Sequence, residues 1–149
     1  ILALTLGGIL GGLMASRHGL KYWLLPMTLA INIPNLVYVY LSWAAPENLW
    51  LISGAVALEQ FGYGFGFTAY MLYMIYFAEG THKTAHFAIC TGLMALGMML
   101  PGMFSGWLQE IIGYQSFFVW VMICTIPGFL IIRFLKIDRE FGVKKETSA

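Results

Sequence analysis

Charge is scarce in this chain: only 10% of its 149 residues are Asp, Glu, Lys or Arg, where soluble domains carry about a quarter. Scarce charge in an apolar chain excludes a disordered region and a nucleic-acid-binding domain, and eight Lys and Arg against seven Asp and Glu, a formal net charge of +1, offer no basic field for a polyanion and no acidic tail. Cysteine is equally sparse. Cys90 and Cys124 both stand in apolar stretches, where a thiol behaves as a small hydrophobe, so neither a disulfide scaffold nor a redox compartment follows. No nucleophile elbow, no Walker loop and no Ser-His-Asp order occurs. The chain therefore reads as a non-enzyme without a cofactor. His82 and His86 have the i, i+4 spacing of two metal ligands, but they sit at a loop-helix junction without a completed ligand set, and no metal is expected.

What the chain has instead is apolar surface: 60% hydrophobic residues, 16% aromatic, and a mean hydropathy of +0.78. Water is not the main solvent for such a composition, and an integral membrane protein is expected. Apolar segments run over residues 1–15, 22–43, 49–78, 85–108 and 114–135. All but the first reach the ~20 residues that a bilayer core requires, and each exceeds the roughly 10 of a barrel strand. Because lipid offers a backbone no hydrogen-bond partner, these predict five transmembrane α-helices, an all-α membrane fold over residues 1–135. A polar and loose tail, residues 136–149, follows. The first segment opens inside an apolar run, with no initiator Met and no charged n-region, and reads as the interior of a longer protein.

Alternating helices place Arg17, Lys21, Lys83, Arg133, Lys136, Arg139, Lys144 and Lys145 on one side. The excess of Lys and Arg on inner loops makes that side, and the C-terminus, cytoplasmic. Tyr22, Trp23, Tyr73 and Tyr76 fall near the inner face, and Trp43, Trp50, Trp107 and Tyr114 near the outer, as an interfacial belt requires.

Glu59 is the one acid deep in a span. At ~1.5 Å per residue it lies roughly 15 Å from the helix start, near the midplane. A carboxylate there faces a wet cavity, pairs with a neighbour, or stays protonated, and the last is what a proton-coupled carrier uses. The plain alternative is a neutral Glu hydrogen-bonded between helices. Asn32 and Asn35, a turn apart with Pro34 between them, reach a similar depth and line a shared cavity or glue helices. Gln60 points about 100° away from Glu59 and is not expected to share its ligand. Tyr63 and Tyr70, on the turns after Glu59, line a polar path or pack. Gly62, Gly64 and Gly66 permit close helix approach, and Gly102 and Gly106 after Pro101 suggest a second close contact or a hinge.

Two stretches carry a family resemblance. Gly12-Leu13-Met14-Ala15-Ser16-Arg17-His18-Gly19-Leu20-Lys21 resembles the Gly-xxx-Asp-Arg-x-Gly-x-Lys loop of the major facilitator superfamily, with Ser16 in place of the Asp. Glu59-Gln60-Phe61-Gly62-Tyr63-Gly64-Phe65-Gly66-Phe67-Thr68-Ala69-Tyr70 is similar to the Glu-x4-Gly-x-Gly-x-x-Ala-aromatic helix of the AmpG-like muropeptide permeases. Ser105-Gly106-Trp107-Leu108-Gln109-Glu110-Ile111-Ile112-Gly113-Tyr114, then Phe117-Phe118 and Pro127-Gly128, resembles the later pattern of that family. His86 and Phe67 depart from it.

The resemblance implies helices eight to twelve of a twelve-helix carrier, most of its C-terminal half. It also implies proton-driven import of GlcNAc-anhydroMurNAc peptides across a bacterial inner membrane for peptidoglycan recycling. On this reading Glu59 is the proton-coupling or substrate residue. Asn32, Asn35, Tyr63 and Tyr70 are candidate cavity walls, and Gly12, Arg17, Gly19 and Lys21 form a cytoplasmic gate loop. The expected partners are a small-molecule substrate, protons, the lipid bilayer and the missing N-terminal half of the same transporter. The competing readings are a carrier of acetyl-CoA, peptide or drug, and a non-transporting assembly module whose glycine-rich helices pack on a partner.

Overall fold

A computed structural model describes residues 1–78 and 80–143. Glu79 of one expected connection, and Lys144 and Lys145 of the basic set, lie outside the described residues. Those that are described form helices α1 (Leu2–His18), α2 (Leu20–Asn32), α3 (Asn35–Ala44), α4 (Leu49–Phe77) and α5 (Lys83–Ile132), with no strand among them. Leu20–Ala44 and Lys83–Ile132 are long and apolar enough to cross a membrane by themselves.

These elements do not map one to one onto the five expected spans. The second span is two helices, because Pro34 has no N–H to return to the Ala30 carbonyl. Ile33 and Pro34 keep right-handed dihedrals, and α3 starts through the turn bonds Leu36 N to Ile33 O and Val37 N to Pro34 O, both 2.9 Å. The expected connection at residues 109–113 is helical up to Gly113, whose φ of 78° and ψ of 163° break α5 into two arms. The connection at 16–21 shrinks to Gly19 alone. Longer connections survive before and after α4, where the Asn48 side chain caps the helix by accepting from Trp50 N at 3.0 Å.

The packing is centred on α4, which α1 and α2 flank. Gly62 lies against the Ala30 carbonyl, the group left free by Pro34, and Gly64 lies against the Leu4 carbonyl. A methyl at either position would overlap backbone, so glycine sets the separation of the helices. Thr68 Oγ1 donates across the α1 seam to Gly8 O at 3.3 Å. Ala15, Leu20, Leu24, Met27, Ala69 and Ile137 form the buried cluster where α1, α2 and α4 converge. By contrast α5 has no buried residue, and a methyl on Gly102 or Gly106 would meet nothing. The close contact suggested by that pair is therefore not made by the described residues.

Residues Lys136–Val143 correct the expectation of a loose tail. Ile137 is 3% exposed and belongs to the central cluster, and Phe141 packs against the same cluster. Apolar residues inside a polar stretch supply the reason: Ile137 and Phe141 have a hydrophobic seat available at the α1–α2 turn.

Candidate functional site

A cavity of about 590 Å³ opens between α2, α4 and both arms of α5. Its α4 wall carries aromatic rings on a face away from the close glycine contacts that Gly62 and Gly64 make with α2 and α1. Tyr63, Phe67, Tyr70 and Tyr73 recur at helical spacing along the face of α4 that lines the cavity, with Phe67 between Tyr63 (5.6 Å, stacked) and Tyr70 (6.2 Å). Opposite them stand Met94 and Met98 from the first arm of α5 and Ile131 and Leu135 near its C-terminal end. Thr28 supplies a hydroxyl, which donates to Leu24 O at 2.8 Å. The wall is mainly apolar, and no Lys, Arg, Asp or Glu lines it among the described residues. Tyr63 and Tyr70 thus lie on one surface of this cavity.

Glu59 lies one turn before Tyr63 on the same face of α4, half-buried at the end of this ladder. Its Oε2 accepts from Gln60 Nε2 at 2.9 Å and from Tyr38 Oη at 3.4 Å. The Gln60 contact differs from the expectation that the two side chains diverge. Their Cβ directions do diverge, but two long flexible side chains bridge the gap between adjacent positions. Tyr38 stacks in turn on Phe118 of α5, with centroids 5.9 Å apart, so the carboxylate is tied through one phenol to α3 and α5.

Sequence reasoning missed Tyr38. An aromatic residue on a helix face carries no mark of its partner, and the 21-residue separation from Glu59 gives no periodic cue.

The asparagines behave differently from Glu59. Asn32 Nδ2 donates to Thr28 O at 2.8 Å within its own helix, and Asn35 opens α3. Neither is among the residues that line the aromatic cavity.

The residues of the turn resembling a gate loop also separate. Gly19 joins α1 to α2 with φ of 83°, and Arg17 stands in the last turn of α1, where a cation favours the carbonyl end of the helix dipole. Arg17 and Lys21 are exposed, whereas a methyl on Gly12 would meet nothing within 4 Å. Ser16, in the place of the acid, donates to Leu13 O at 2.8 Å. His18 and Trp23 meet beside the turn, with Trp23 Nε1 donating to His18 Nδ1 at 3.4 Å.

The chain is similar over most of its length to a set of bacterial proteins. An Escherichia coli K12 protein named anhydromuropeptide permease is 25% identical over 132 residues, covering 89% of this chain and 27% of that protein. A Rickettsia typhi protein bearing the name AmpG 2 is 23% identical over 133 residues, 89% of this chain and 32% of its own. A Haemophilus influenzae protein named only as uncharacterized is 24% identical over 131 residues, 84% of this chain and 31% of its own. The chain thus spans less than a third of the length of each of these relatives. No protein-family profile and no solved structure matches it. Its apolar helices and the permease name among its relatives support a membrane protein.

Proposed function

We propose that this chain is part of an AmpG-like, proton-coupled secondary transporter of the major facilitator type, forming helices eight to twelve, and that it carries GlcNAc-anhydroMurNAc peptides across a bacterial inner membrane. The observation that carries the reading is the likeness to a muropeptide permease along the same α4 that lines the cavity. Aromatic faces suit the C–H faces of pyranose rings, and the ladder from Tyr63 to Tyr73 offers several in register. Since no cation lines the cavity among the described residues, this wall is assigned to the disaccharide rather than to the peptide carboxylates.

Glu59 is the coupling acid in this scheme. Gain of a proton at Glu59 changes its bonds with Gln60 and Tyr38, and so the hold of α4 on α3 and, through Phe118, on α5. The transporter then rocks its two halves around a central site, with the basic turn Arg17–Lys21 and the tail on the cytoplasmic side. Asn32 and Asn35 take a secondary place, as polar groups at the α2–α3 break.

Uptake of labelled GlcNAc-anhydroMurNAc peptide by vesicles carrying the full-length protein tests the proposal. Uptake above protein-free vesicles, abolished by collapsing the proton gradient, is expected. Well-inserted protein without uptake overturns the cargo, and the mainly apolar cavity then directs the search to acyl-bearing and drug-like compounds. Uptake indifferent to the gradient overturns the coupling.

A further inference from the structure

The aromatic cavity is bounded on one side by a wall that packs without burying a residue: Ile132 and Leu135 lie partly buried against the central cluster, and Phe118 of the same arm stacks on Tyr38. Along its 50 residues α5 buries none, yet it supplies Gly128, Ile131 and Ile132 to the cavity lining, which Leu135, just beyond its end, continues. Directly after that wall the chain changes character. Ile137 is buried in the cluster with Ala15, Leu20, Leu24 and Met27, and Leu135 and Phe141 pack on it.

Polar contacts fix the same segment to two other elements. The Phe141 carbonyl accepts from Leu20 N at 2.9 Å, the first amide of α2, which no residue within the helix serves. On α4, Tyr76 Oη donates to Asp138 Oδ2 at 3.3 Å, and its ring meets Phe141 edge-on at 4.7 Å. The α1–α2 turn is shaped to receive this segment: a Cβ on Gly19 would lie 2.6 Å from the Arg139 carbonyl, in addition to the strain of its positive φ.

We infer that Ile137–Gly142 is a strap that latches the C-terminal arm of α5 over the aromatic cavity, so that release of the strap from the Gly19 turn and Tyr76 opens the cavity on that side. The wall has no buried residue, whereas the strap that continues it has a buried isoleucine, a backbone bond to α2 and a side-chain bond to α4. The strap therefore adds the buried anchor that the wall itself lacks. It requires the cavity but not any particular cargo, and so goes beyond the proposed transport.

The test is the reactivity of a single cysteine inside the cavity. In the full-length protein in lipid nanodiscs, Cys90→Ala and Cys124→Ala remove the two described native thiols, any others encoded outside this chain are likewise replaced, and Met94→Cys places a reporter on the half-buried cavity wall. Ile137→Ala with Phe141→Ala removes the apolar seat, and maleimide labelling of Cys at position 94 is expected to rise roughly 5- to 30-fold. Asp138→Asn and Tyr76→Phe each weaken only one hydrogen bond, with an expected rise of about two- to tenfold. These milder variants decide the matter if the double variant loses its monodisperse elution. Labelling at the parent rate in well-folded strap variants overturns the inference. Because the assay uses no cargo, absence of muropeptide uptake alongside strap-dependent labelling removes the proposed substrate and leaves the strap in place.

Discussion

Glu59 shares its oxygen between two donors of different kinds, an adjacent amide on its own helix and a phenol from α3. Only the second bond links helices, so the two substitutions separate charge from coupling geometry. Glu59→Gln in the full-length protein is expected to eliminate gradient-driven uptake while leaving expression and insertion unchanged, measured as uptake per inserted protein. Tyr38→Phe keeps the ring and its stacking on Phe118 but deletes the donor. It is expected to lower the same uptake by about two- to tenfold, the range of one ordinary hydrogen bond, as suits a contact of 3.4 Å. An unchanged rate in Tyr38→Phe would reduce that residue to packing. At this scale the sequence was informative about Glu59, because an acid at mid-depth in an apolar run is conspicuous. It was silent about Tyr38, whose role depends on a contact between helices.

The glycines of α4 are not equivalent, and the helix interfaces explain which matter. Gly64 is pressed against the Leu4 carbonyl of α1, whereas a methyl on Gly54 of the same helix meets nothing within 4 Å. Gly64→Ala is expected to lower stability by about 1–3 kcal/mol, the range for forcing extra volume into a packed contact. Gly54→Ala is expected to be neutral or slightly stabilising, since alanine is the better helix former. Thermal unfolding of the two variants in the same detergent checks the contrast, and an equal effect would remove the close-approach account. The stretch Gly62 to Gly66 was legible as an interface from its spacing. Gly102 and Gly106 show the same spacing without a contact, so spacing offers a surface but does not name what covers it. Helix breaks were legible only in part. Pro34 and Gly113 are visible as residues, but whether each ends a helix is decided by which carbonyls find other partners.

On the scale of the molecule, helix content followed from composition and run length, while the placement of the tail did not. A segment containing Lys136, Asp138, Arg139 and Glu140 reads as solvated. It docks because two of its residues, Ile137 and Phe141, match a seat that only the packed helices create. The topology drawn from the basic loops has its own check. A lone cysteine introduced at Thr84 is expected to react with a membrane-impermeant maleimide only from the cytoplasmic side, and one at Glu47 only from the outside. Both positions are exposed beside connections at opposite ends of α4. Labelling of both from the same side would contradict the orientation.

The central claim is that the aromatic face of α4 and its facing α5 wall form the path of a muropeptide. Protection of the reporter cysteine at Met94 by GlcNAc-anhydroMurNAc peptide, in protein shown to take up that compound, tests it most directly. Labelling is expected to slow as the ligand saturates and to recover when it is washed out. Intact uptake with labelling unchanged at saturating ligand would place the substrate elsewhere and contradict the account.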